Sequence, residues 1–418
     1  MSIFIKNVQY EQSSVDIFIE GDHISRVGER LVCDADRVLD GTGKAVVPGF
    51  VNGHTHAAMT LFRGFGDDMP LERWLHEKIW PREAKLTDKD VYWGVKLACL
   101  EMIKSGTTCF CDMYMHYPVI LRAVEEMKMR ALLGSVVFDH FNDDIAARYK
   151  QEAERNMALP HSSRVSFSFA PHAIYTVSAD TLQWVNHMAE ANNCLIQMHV
   201  AETQTECRNA LDNFGATPIR YLHRIGLLTP RLVLAHCLWI DDDEIRMIAD
   251  HGVQVIHNPA SNLKLGSGHA FRYEEMKAAG IKVGFGTDSA SSSNNLDMIE
   301  AAKLASLLQK GWRNDPTAMP AREALHCITA AGAGILRINA GKIAPGYLAD
   351  LCLINLNAPA FTPGNDFVSN LIYAASHGSC VDTVICDGNI LMENRKVAGE
   401  EEILAEVNAL TREFITEQ

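Results

Sequence analysis

Along the middle of the chain, short apolar runs alternate with stretches whose apolar residues recur every three to four positions, the spacing of a helix with one buried face. The runs fall at residues 45–51, 107–112, 131–138, 164–170, 194–200, 232–237, 252–257 and 281–288, giving eight strand candidates. The clearest helix begins at Thr87, where T-x-x-D spacing to Asp90 makes a capping box. Val91, Val95, Ala98, Cys99, Met102 and Ile103 then form an apolar stripe that Gly106 ends. Gly252 and Gly280 are expected to close the segments starting near Asp241 and Tyr273 with left-handed backbone. Eightfold alternation of strand and helix predicts an α/β fold, a parallel (β/α)8 barrel rather than an open sheet.

The two ends of the chain read as β structure. Residues 15–20 and 23–27 flank Gly21-Asp22, and residues 381–386 and 389–393 flank Asp387-Gly388, both pairs suited to tight hairpin turns. The ends are expected to share one small domain: residues 1–47, and residues 341–418 with a terminal helix, around a barrel of residues 48–340.

Charge narrows the partners. With 38 basic against 52 acidic side chains the net charge is −14, and no run of Lys or Arg offsets it, so nucleic acid and anionic membranes are excluded as partners. No apolar run reaches the ~18 residues a membrane span needs. The 11 Cys contain no C-x-x-C pair, which fits free thiols in a reducing, cytoplasmic setting. Cys109 and Cys111, a C-x-C pair without further partners, are expected to be buried thiols.

A parallel barrel presents its chemistry at the C-terminal ends of its strands. The first strand runs into His54 and His56, which alternation places on one face. Leu195, Gln197 and His199 share a face of the fifth strand, Leu232, Leu234 and His236 one of the sixth, and Gly284, Gly286 and Asp288 one of the eighth. Three His and one Asp at one rim make a catalytic zinc-type site with room for water. His236 is expected to orient rather than ligate, and Glu202, three residues after His199, to carry protons. Residues 289–295 are expected to form a rim loop that links to the next helix.

The motifs PGFVNGHTH, HVAET, LAHC, HNPASNLKLGSG and GFGTDSA resemble those of the amidohydrolase superfamily. With WPREAKLT, APHAIYT and GKIAPGYLADL they are similar to its 5′-methylthioadenosine and S-adenosylhomocysteine deaminase branch, over nearly the whole chain. The resemblance implies a barrel flanked by a β-sandwich from both termini and an aminohydrolase that assembles as a homo-oligomer. It also implies one divalent ion held by His54, His56, His199 and Asp288. Zinc is the expected ion, and iron or manganese accept the same donors. The substrate implied is a small purine nucleoside contacted by Glu83, His172, Glu202 and Asp288, with Glu202, His236 and Asp288 moving protons. Arg148 falls where family members place a substrate-binding Arg. Gly134 and Ser135 stand where relatives often carry another Arg, which weakens recognition of a charged tail. Two-metal relatives carry a Lys at the end of the fourth strand, where this chain reads Phe169-Ala170-Pro171-His172, so one ion is favoured. The competing readings are an aminohydrolase of a free base or triazine-like ring, and an inactive scaffold.

Overall fold

Eight parallel strands lie side by side in chain order: β1 (Phe50–Thr55), β2 (Thr107–Tyr114), β3 (Arg130–Val137), β4 (Val165–Pro171), β5 (Leu195–Val200), β6 (Leu232–His236), β7 (Gln254–His257) and β8 (Val283–Phe285). The computed structural model describes residues 1–375 and 378–416; residues 376, 377, 417 and 418 of the expected C-terminal segment lie outside them. The end of β8 returns to β1 through a parallel bridge between Thr55 and Asp288, and the Asp288 amide donates to the His54 carbonyl at 3.0 Å. The sheet thereby closes. Gly286 permits the approach, since a Cβ there would stand 2.8 Å from the His54 backbone nitrogen.

Alternation sorts most strand residues as expected. Val51, Cys109, Cys111, Leu132, Leu195, Val233 and Ile256 fill the barrel interior, while Ile196, Met198 and Val200 join the larger cluster under the helices. The sixth strand departs from the expected face: Leu232 and Leu234 turn outward and Val233 inward. His236 still reaches the barrel mouth because its backbone is left-handed, φ 77°, which breaks the alternation at that residue. The helix Asp88–Ser105 makes both hydrogen bonds of its capping box and buries the whole predicted stripe. Gly106, Gly252 and Gly280 all adopt positive φ.

The first expected strand divides at Gly49. Lys44–Pro48 pairs antiparallel with Leu351–Asn355 and touches Gln9 through Ala45, so it belongs to the terminal sheet, and β1 begins only at Phe50. A Cβ on Gly49 would lie 2.2 Å from Thr108 Oγ1, so glycine is what clears β2 where the chain crosses into the barrel. The hairpins form at both ends, Ser13–Glu20 with His23–Gly28 and Val381–Cys386 with Asn389–Glu393. They join in one continuous nine-stranded mixed sheet rather than two separate ones, because Lys44–Pro48 bridges the N-terminal and C-terminal halves.

Barrel and sheet are tied together below the strands. Arg130, at the start of β3 and 3% exposed, donates to Asp350 at 2.7 and 3.2 Å and to Asp387 at 2.7 Å. Asp350 precedes the strand Leu351–Asn355, and Asp387 sits in the C-terminal hairpin turn, so one guanidinium bridges two buried carboxylates of the other layer, with Arg164 3.5 Å from Asp387 as the second cation. Replacing Arg130 strands the charge of Asp350 and leaves Asp387 to Arg164. Arg130→Met is expected to cost about 3–5 kcal/mol in denaturant unfolding. Arg37→Ala, which breaks an ion pair to Glu393 near the surface, should cost at most about 1 kcal/mol.

Candidate active site

β1 carries one extra residue against β2 between Asn52 and Thr55, an irregularity of the kind that re-aims side chains. His54 and His56 then converge with His199 from the end of β5 and Asp288 from beyond β8. His199 Nε2 lies 3.0 Å from His54 Nε2 and 3.3 Å from His56 Nε2. Asp288 Oδ1 is 3.1 Å from His56 Nε2 and 3.7 Å from His54 Nε2. One donor atom from each of the four lies within 4.8 Å of the others.

Backbone carbonyls set which ring nitrogens face inward. His56 Nδ1 donates to the Met113 carbonyl at 2.6 Å, and His199 Nδ1 to the His172 carbonyl at 3.1 Å, leaving Nε2 of each ring for the cluster. Burial holds His54 and His199 well below the usual imidazole range, in the neutral form that ligates. Burial also lowers His56, but the hydrogen bond and charge of Asp288, with the Met113 carbonyl and Asp112, together outweigh this and raise the ring to about 9. A divalent ion held by these residues would take the place of that ring's proton. Three nitrogens and one carboxylate oxygen fit a divalent ion.

Asp288 is held from behind. Its Oδ2 accepts from Ser261 at 2.6 Å and from Ser292 at 3.2 Å, which leaves Oδ1 to the cluster. Ser289 and Ser292 also line the cavity, so residues 289–295 build the site rather than merely link to the next helix. Ser261 and Asn262 belong to the HNPASN motif. Asn262 Oδ1 accepts from His236 Nδ1 at 2.8 Å, directing His236 Nε2 toward Glu202 Oε2 at 3.8 Å. His236 thus lies behind the ligand cluster.

Glu202 is 7% exposed and accepts from Ser267 Oγ at 3.2 Å; burial raises its pKa. Across the cavity Glu83 accepts from Tyr114 Oη at 2.8 Å, and burial raises it too. His172 lies 3.0 Å through Nδ1 from Thr176 Oγ1, whose hydroxyl donates to the Ala173 carbonyl; burial pushes the ring down to about 3, leaving Nε2 as an acceptor. These groups open onto one cavity of roughly 710 Å³, roofed by Leu71, Trp74, Ile79 and Trp80. No Lys or Arg is among its described lining residues.

Arg148 does not join them. It is exposed on the helix Asp143–Met157 with its guanidinium 5.7 Å from the Tyr149 ring, because the helix turns that position to solvent. Ser135 is buried and accepts from Asn156 Nδ2 at 3.0 Å, so no cation replaces the missing Arg there. The roof left no periodic signal in the sequence. Glu206, whose carboxylate grips the turn before Glu202, could have been found as the partner of Thr203 in T-x-x-E spacing.

The sequence profile of the Amidohydrolase family matches residues 45–391. A 5-methylthioadenosine/S-adenosylhomocysteine deaminase of Archaeoglobus fulgidus is 46% identical over 92% of this chain and 91% of its own. A 5′-deoxyadenosine deaminase of Methanoregula boonei is 44% identical over 97% and 93%. Among solved structures, an adenosine deaminase from Xanthomonas campestris with bound zinc superposes with a TM-score of 0.94 at 30% identity, covering 100% of this chain and 98% of that one.

Ser261→Ala deletes a hydrogen bond to Asp288 but no ion ligand. It is expected to weaken divalent-ion binding roughly tenfold, whereas His199→Ala should abolish stoichiometric binding. Competition against a chromophoric chelator measures both.

Proposed function

We propose that this chain, which belongs to the amidohydrolase family, binds one zinc ion at His54, His56, His199 and Asp288 and with it removes ammonia from adenine nucleosides. It is a hydrolase of C–N bonds, and its relatives are named for hydrolytic deamination of this substrate class. The observation that carries the reading is the meeting of the His/Asp cluster with buried Glu202 on one cavity. Bound there, the ion supplies a water acidified toward ~7 as the nucleophile for the ring carbon.

The chain's own residues handle the protons. Asp288 takes one water proton, and His236, its Nδ1 hydrogen engaged by Asn262, accepts a hydrogen bond through Nε2 and orients the water. Glu202, whose pKa burial raises, gives its proton to ring N1 as the new C–O bond forms at C6. The C6–N6 bond then breaks. Ammonia leaves with its two amine hydrogens and the proton held by Asp288; the second water proton restores Glu202, and N1 keeps its hydrogen in the inosine-type product. Glu83 accepts from ribose hydroxyls, and His172 Nε2 does the same. The free thiols fit cytoplasmic action, and the family resemblance supports a homo-oligomer.

Glu202→Gln is expected to abolish ammonia release while ion content stays at one per chain; an active variant would remove the acid role. With no guanidinium facing the cavity, a carboxylate on the 5′ tail gains no charge-assisted hydrogen bond. Accordingly kcat/KM for 5′-methylthioadenosine and 5′-deoxyadenosine should exceed that for S-adenosylhomocysteine by about tenfold or more. Release of ammonia from guanine or a triazine alone would favour the free-base reading and end the roles of Glu83 and His172.

A further inference from the structure

Between the ion ligand His199 and the acid Glu202 the chain makes a tight turn, and Ala201 within it has φ 52°, a conformation an L-residue adopts only when held there. Two consecutive amides face one side chain. The Ala201 amide donates to Glu206 Oε1 at 2.9 Å, and the Glu202 amide donates to Glu206 Oε2 at 2.8 Å. Glu206 is 8% exposed, so water offers no ready substitute for either acceptor. Its own amide is held by Thr203 Oγ1 at 3.0 Å, which anchors the carboxylate on the helix Gln204–Phe214.

The usual capping box would send this carboxylate back to the Thr203 amide. Here it reaches one and two residues farther back along the chain and spends both oxygens on the turn that carries Glu202. A carboxylate is the group this geometry needs. An amide in its place has one oxygen for two donors and would set an NH2 against the second N–H.

We infer that Glu206 is a positioning residue, whose two hydrogen bonds to the Ala201 and Glu202 amides aim the Glu202 carboxyl at the substrate ring. The inference rests on the acid role given to Glu202 above. It separates Glu206 from the ion: His199 is oriented by the His172 carbonyl, just beyond β4, and Glu206 touches none of the four ligands through a hydrogen bond. Loss of the brace therefore costs turnover and spares ion binding.

Glu206→Gln is expected to keep ion content and leave KM within about twofold, while kcat falls roughly a hundredfold, the scale of an angstrom's misplacement. In a Glu202→Asp background, where a displaced acid already limits turnover, the same substitution should cost far less, because residues acting as one unit do not contribute independently. Glu206→Asp, which keeps the charge but retracts it, should fall between wild type and Glu206→Gln and covers the case in which the amide variant does not fold. Amide hydrogen exchange gives a readout free of any substrate: protection of the peptide spanning residues 199–206 should drop in Glu206→Gln, with the rest of the chain unchanged. Unaltered exchange at that peptide overturns the inference, as does an unchanged kcat, a fall in ion content parallel to kcat, or losses that multiply in the double variant. If wild type deaminates no adenine nucleoside, the functional reading fails on its own, and the exchange result still decides whether Glu206 braces the turn.

Discussion

Everything at the mouth of the barrel is arranged around one crowded point, where Nε2 of His199 stands 3.0 and 3.3 Å from two other imidazole nitrogens with a carboxylate oxygen beside them. Such a group of electron pairs stays together only around a proton or a cation, and only if the rings cannot turn away. The surrounding chain prevents that turning. Carbonyls of Met113 and His172 hold two rings, and hydroxyls of Ser261 and Ser292 hold the carboxylate. His236 and Asp288 both sit on left-handed backbone, a local cost accepted where the strands end and side chains must leave the regular alternation.

The opposite end of the barrel is built for stability. Arg130 and the carboxylates of Asp350 and Asp387 form a nearly dry ion cluster that joins the start of β3 to the terminal sheet. Chemistry and stability are thereby separated along the barrel axis, as expected when catalytic groups ride on the C-terminal ends of parallel strands and the N-terminal ends are free to be cemented. The terminal sheet touches the chemistry only indirectly. It places Gly49 and so fixes where β1 begins, six residues before the paired His54 and His56 have been passed.

Much of this was legible in the chain. The capping box at Thr87, the hairpin turns at both ends and the eight strands follow from local rules of periodicity and turn chemistry, and local rules survive folding. The clustered residues His54, His56, His199 and Asp288 were legible for a different reason: a His or Asp at the end of an apolar run is visible wherever the runs are visible. Arg148 shows the limit. A loose alignment placed it near substrate, yet helical rotation turns it to solvent, and a position on a helix without a strong stripe says little about direction.

The sequence by itself determined the barrel class, the terminal β domain, and the three His, one Asp and one Glu that stand at the strand ends, because each depends on residue type and spacing within a short window. Tertiary structure decided which nitrogen of each ring faces the cluster, why His236 reaches the mouth from a strand whose alternation points it away, and that Ser261 and Ser292 hold Asp288 while Glu206 holds the turn before Glu202. Those facts depend on contacts between residues far apart in the chain, such as His54 and His199, 145 positions apart, and on single backbone angles. No periodicity within one segment encodes either.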